Sequence, residues 1–139
     1  MNQTAIFWPM IVHVALVYGV YVRMSFGRQA AIRSGKARVA QFRENRDEPD
    51  ESLFARNNLQ NQFELPVLFH VVGLALYSTA GASLVPVVIA WIFVLSRVAH
   101  AAIHLTTNRI RHRRPLFLVG FFSLAALWAW FALHLLGLV

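Results

Sequence analysis

Long apolar runs alternate with short polar connections along this chain, and the pattern predicts helices that cross a membrane. Apolar residues fill about 5–24, 62–84, 85–106 and 116–138, each near the ~20 residues a helix needs to span ~30 Å of hydrocarbon. Pro115 stands just before the last run, where its missing N–H costs nothing in a first helical turn. The connection Ala80-Gly81-Ala82-Ser83-Leu84-Val85-Pro86 is uncharged and tight, so the second and third runs are expected to be antiparallel neighbours. The apolar stretch behind Met1-Asn2-Gln3-Thr4 has no basic leader and is too long for a signal peptide, and is read as a retained helix. The fold expected is all-α: a single four-span membrane domain over residues 1–139, an integral membrane four-helix bundle.

Composition and charge sharpen this picture. With 58% hydrophobic residues and a mean hydropathy of +0.52, a soluble domain of this size would expose too much apolar surface. Thirteen Lys/Arg outweigh six Asp/Glu, but no nucleic-acid partner is inferred, because the charges sit in two connections. Eight of the basic residues fall between Arg23 and Arg56 and four between Arg109 and Arg114; Arg97 is the only one inside a run. Basic loops stay cytoplasmic, which places loops 25–55 and 107–115 on that side and both termini on the other. A bacterial inner membrane is the expected location, with bilayer lipids as partners. The segment Arg28–Arg38 is basic enough to lie against anionic headgroups, and an acidic, turn-like stretch, Glu44–Ser52, follows it. No cysteine is present, so thiolate metal sites and a protein-borne sulfur nucleophile are excluded, and no metal is expected.

Ionisable residues at membrane depth are costly and therefore functional suspects. Glu64, Arg97, His13, His70, His100, His104 and His134 are the candidates. Counted outward from Leu84, Glu64 and His104 are equally distant, roughly 30 Å at 1.5 Å per residue; Leu68 then pairs in depth with His100 and Val71 with Arg97. Arg97, His100, His104 and Asn108 follow spacings of three and four, as do Asn57, Asn61 and Glu64. Each set forms one stripe along a helix. The two stripes are expected to face each other or another subunit and to line a polar pocket open to the cytoplasm, with the Arg97 side chain extended toward Glu64 or toward the aqueous face. A purely structural network of the same groups is the rival reading. His13, His70 and His134 are expected to be packed and hydrogen-bonded. Pairs drawn from the histidines also leave a b-type haem protein as a remote alternative.

At these residues the chain resembles the MAPEG family, the membrane-associated proteins in eicosanoid and glutathione metabolism, which includes microsomal glutathione transferases and a prostaglandin E synthase. Two motifs carry the resemblance, Arg56-Asn57-Asn58-Leu59-Gln60-Asn61-Gln62-Phe63-Glu64-Leu65-Pro66 and Arg97-Val98-Ala99-His100 with His104. The resemblance implies a homotrimer with glutathione, as co-substrate, held between subunits in the cytoplasmic half of the membrane. Tyr18, Arg28, Asn61, Glu64, Arg97, His100, His104 and Arg109 are then the implied glutathione-binding residues, and Arg113 or Arg114 the thiol-activating one. Relatives carry a tyrosine where His104 stands, and Asn57 occupies their usual cationic place. The implied activity is transfer of the thiol to lipophilic electrophiles, or reduction of lipid hydroperoxides. A non-enzymatic trimeric scaffold, or a protein that binds an anionic ligand without chemistry, is the alternative.

Overall fold

The computed structural model describes residues 2–44 and 47–139. Asn45 and Arg46, part of the acidic stretch and of the basic count respectively, lie outside the described residues. A 3-10 turn, Gln3–Ile6, runs into helix α1, Phe7–Arg33. Helices α2 (Val39–Glu44), α3 (Asp50–Gln62), α4 (Leu65–Ser78), α5 (Leu84–Leu105) and α6 (Ile110–Leu135) follow. Helix accounts for 82% of the structure, and no strand occurs among the described residues.

Three helical segments are long and apolar enough to cross a membrane: Gln3–Arg33, Leu84–Leu105 and Ile110–Leu135. The remaining apolar run, 62–84, is not one helix. It is α4, of 14 residues, or about 21 Å of axial rise, preceded by a break and followed by a turn. The break has a sequence cause. Pro66 has no N–H for the Gln62 carbonyl and restricts Leu65 before it, so α3 stops at Gln62 and Glu64 takes a non-helical backbone, φ −95° and ψ −106°.

Helix α5 is the inner member of the bundle: half of its apolar stretch is buried, against 28% and 17% for the apolar stretches of α1 and α6. It packs most extensively on α6. Its buried side chains Val87, Ala90, Phe93 and Val94 join Ile6, Met10, Phe69, Val72, Leu76, Leu124 and Leu127 in one apolar core. Phe69 stacks on Phe93 with ring centroids 4.5 Å apart. Close helix approach relies on small residues. A Cβ at Gly120 would meet Ser96 Oγ at 2.8 Å, and one at Gly81 would meet the His134 ring at 2.6 Å. Large apolar side chains such as Trp8, Phe26, Leu74, Ile92 and Phe122 point outward, as a surface facing lipid or another copy of the chain requires.

The long polar connection is tied to α1. Arg28 holds Glu48 through paired bonds, Lys36 pairs with Glu51 at 2.5 Å, and Arg28 also lies over the Phe42 ring, 5.0 Å from its centroid.

Candidate functional site

Two clefts flank α3. The first lies where α3, α5 and α6 meet; it measures about 270 Å³ and is lined by Asn61, His100, Ile110, Arg113, Arg114 and Phe117. The second, about 580 Å³, lies between α1 and α3 and includes Tyr21, Arg28, Arg56, Gln60, Phe63 and Glu64.

The start of α6 builds the cationic wall of the first cleft. Asn108 adopts a left-handed backbone, φ +48°, which asparagine tolerates better than most residues. Its N–H reaches back to the Ile103 carbonyl at 2.8 Å, ending α5. Its side-chain oxygen accepts from Arg113 Nη1 at 2.6 Å, which fixes one side of that guanidinium at the mouth of the cleft. Arg114 follows, more exposed. Opposite them His100 is 2% exposed, and its Nδ1 is buried with no hydrogen-bond partner. An unmatched buried polar atom is unusual in a folded chain, and here it belongs to a residue lining a cavity.

Arg97 is buried, 1% exposed, and its side chain turns to the main chain of α3, not into a direct ion pair with Glu64. Its Nη2 donates to the main-chain carbonyl of Asn61 at 3.0 Å, while Glu64 is exposed on the second cleft and belongs to neither ion pair among the described residues. The break after Gln62 explains this. The last carbonyls of α3 lack helical partners, and a guanidinium satisfies one while complementing the negative end of the helix. Arg97 Nε remains without a partner.

The predicted polar stripe on α3 is corrected in register. Asn58 and Gln62 face the interior, 0% and 2% exposed, whereas Asn57 and Asn61 are half-buried and Glu64 is exposed. The stripe on α5 stands as expected for Arg97, His100 and His104, which are 1%, 2% and 3% exposed. The depth pairing shifts accordingly. His104 Nδ1 meets Asn58 Nδ2 at 3.2 Å, not Glu64, and Arg97 meets Asn61, not Val71.

Asn58 and Gln62 were not singled out by sequence, and both belong to an interior polar chain. Gln62 Nε2 donates to Asn58 Oδ1 at 2.9 Å. Gln62 Oε1 lies 3.1 Å from His13 Nε2, and His13 Nδ1 lies 3.1 Å from His70 Nε2. His134 Nε2 donates to the Thr79 carbonyl at 3.0 Å. All three of these histidines are thus packed and hydrogen-bonded, as expected. Both ring nitrogens of His13 are committed, which removes it from the haem alternative.

The remaining predicted site residues are dispersed. Arg28 lines the second cleft with its guanidinium held by Glu48. Tyr18 is 68% exposed on α1, and Arg109 is exposed at the head of α6; neither lines the two clefts. His104 lies behind His100, with ring centroids 5.8 Å apart. One chain therefore brings together Asn61, His100, Arg113 and Arg114, and keeps Arg28 and Glu64 on the other side of α3.

A model of the MAPEG family matches residues 6–133. The chain belongs to the MAPEG family, and its long apolar helices fit an integral membrane protein of that family. Neither a curated protein nor a solved structure matches it.

Proposed function

We propose that this MAPEG-family chain is a membrane enzyme that binds glutathione, or a similar anionic thiol, from the cytoplasmic side and delivers its sulfur to lipophilic electrophiles. The observation that carries this reading is the convergence of Asn61, His100, Arg113 and Arg114 on one cleft. Glutathione carries two carboxylates and one ammonium. Guanidinium groups bind carboxylates through paired hydrogen bonds. The same positive charge, aimed at sulfur, lowers a thiol pKa from about 8.5 toward neutrality. Arg113 is the better candidate for that task, because Asn108 already orients it and preorganised charge stabilises an anion without reorganisation.

The chemistry needs no sulfur from the protein. The thiol gives up its proton, the thiolate attacks an electrophilic carbon, an S–C bond forms, and the electron pair leaves with the departing group or is protonated. With a hydroperoxide the thiolate attacks the terminal oxygen, the O–O bond breaks, the alkoxide takes a proton and leaves as an alcohol, and a second thiol displaces water from the sulfenic acid so formed to give the disulfide. At about 270 Å³ the cleft of one chain lies at the small end for ligand sites. A homotrimer in which another copy completes the site fits that size and the outward-facing apolar surfaces. In such an assembly Arg28, Tyr18 and Glu64 would act from a neighbouring copy, and the basic loops would face the cytoplasm.

The test is to mix purified protein in detergent with glutathione and follow the ultraviolet thiolate band. A saturable band, lost in Arg113→Ala, is the expected result. No binding and no band would end the enzyme reading in favour of a scaffold. The cap that Arg97 places on Asn61 favours that second reading for Arg97 itself. Glu64→Gln separates the two: loss of assembly with no ligand to displace marks a scaffold, and intact assembly with weakened binding marks the enzyme.

A further inference from the structure

Five side chains from α1, α3, α4 and α5 form an unbroken file through the protein interior: His70, His13, Gln62, Asn58 and His104. Four are almost dry, His13 at 1%, Gln62 at 2%, Asn58 at 0% and His104 at 3% exposed. Water therefore offers them no alternative partner, and each hydrogen bond constrains the next.

With the Gln62 and Asn58 amides oriented as they stand, the donor and acceptor rules fix the direction of the file. An amide oxygen only accepts, so His13 Nε2, facing Gln62 Oε1 at 3.1 Å, must carry a proton. In the neutral ring His13 Nδ1 is then an acceptor, and His70 Nε2, 3.1 Å away, must donate to it. Gln62 passes on an N–H to Asn58 Oδ1. Asn58 has only N–H left to offer His104 Nδ1, so that nitrogen is the bare one and the His104 proton sits on Nε2. Every link runs the same way, from α4 and α1 toward α5.

We propose that Asn58 is a positioning residue that sets the tautomer of His104, with Gln62 opposing any turn of the Asn58 amide on its own, because that turn would set N–H against N–H. The tautomer decides whether the nitrogen turned away from Asn58 presents a proton or a lone pair. It thereby decides whether His104 adds a donor or an acceptor beside His100, the cleft residue whose Nδ1 is buried and unmatched. A group that holds an imidazole in one tautomer can govern chemistry it never touches. As a role in thiol activation, the proposal rests on the glutathione reading above; as a statement about the proton on His104, it stands without it.

The near-isosteric change Asn58→Asp tests both parts. A carboxylate still accepts from Gln62 but has no N–H for His104 Nδ1, so the imidazole must place a proton there and donate. Nitrogen NMR of the full-length protein in detergent, labelled with 15N-histidine, reads this directly. The native chain should show His104 protonated at Nε2 and bare at Nδ1, and Asn58→Asp should show Nδ1 protonated. With glutathione added, the variant should bind within about threefold of the native protein yet lose thiolate formation and turnover by at least about tenfold; Asn58→Ala, which frees the ring, should show mixed tautomers and a smaller loss. Nδ1 protonated in the native chain, or no change in Asn58→Asp, overturns the proposal. So does a tautomer switch that leaves thiolate and turnover untouched. If the native protein takes up no glutathione, the enzyme reading falls, and the ligand-free spectra still decide whether Asn58 sets the tautomer.

Discussion

Arg28 grips Glu48 with two hydrogen bonds, Nε to Oε1 at 2.8 Å and Nη2 to Oε2 at 2.7 Å. This clamp joins the C-terminal end of α1 to the residue just before Pro49 and α3, and Ser52 adds a third bond to the same carboxylate at 2.5 Å. Burial alone would raise the Glu48 carboxyl. The hydrogen bonds from Arg28 and Ser52, with the charges of Arg28 and Arg56, outweigh it and hold the group below the usual carboxylate range. A depressed carboxylate stabilises the fold fully above its unfolded value, roughly pH 4.3, and the contribution is lost as pH falls below that through the folded value. Glu48→Gln should therefore lower stability by about 1–2 kcal/mol at neutral pH. The deficit should shrink on acidification below roughly pH 4. Thermal unfolding in detergent at both pH values checks it, and an equal deficit at each pH would refute the assignment.

The same clamp bears on ligand binding. If Arg28 serves a ligand carboxylate in a neighbouring site, Glu48 competes for it, so Glu48→Gln should tighten glutathione binding while it weakens the fold. Calorimetric titration of glutathione into native and variant protein measures this. Unchanged affinity in the variant would mean that Arg28 acts only as a structural tie.

Two glycines of α1 should respond in opposite ways to alanine. A Cβ at Gly27 would lie 2.5 Å from the main-chain oxygen of Glu51, which cannot step aside as a flexible side chain would, whereas nothing lies within 4 Å of one at Gly19. Gly27→Ala must push α1 from α3 and should cost about 1–3 kcal/mol. Gly19→Ala, in an exposed helix interior, should gain about 0.5–1 kcal/mol from helix propensity. Comparing the melting temperatures of the two variants decides it. Similar shifts for both would rule out close packing at Gly27.

Much of this arrangement was legible in the sequence, and the parts that were not share a cause. The apolar runs located α1, α4, α5 and α6. The spacing of Arg97, His100 and His104 identified an interior stripe because α5 is continuous through all three. On α3 the same rule failed, since Asn57, Asn61 and Glu64 were read along a helix that stops at Gln62. Pro66 carried the signal for that stop. Once the helix ends there, the face that turns inward is Asn58 and Gln62, and depth counted from the Leu84 turn along an unbroken helix no longer applies. The partners of Asn58 and Gln62 lie on other helices, on His104 and His13, and periodicity within one helix cannot reveal them.

Arg97 offers a sharp separation of structural from ligand-binding roles. Its Nη2 caps the Asn61 carbonyl at the end of α3, and it has no carboxylate partner within ion-pair distance among the described residues. Arg97→Met keeps much of the volume but leaves that carbonyl unsatisfied, an expected loss of about 1–3 kcal/mol. It also frees a buried cation from its desolvation cost, which offsets part of the loss. Arg97→Lys keeps the charge and one donor on a shorter, unforked side chain and should recover most of the stability. If Arg97 only caps α3, the two variants differ in unfolding temperature and glutathione affinity changes little in Arg97→Lys. If its unpartnered Nε reaches a bound carboxylate, Arg97→Lys keeps the fold and still loses about tenfold in affinity, the expected effect of removing one charged hydrogen bond. Measuring stability and affinity on the same pair of variants distinguishes the two roles, because only the second separates affinity from folding.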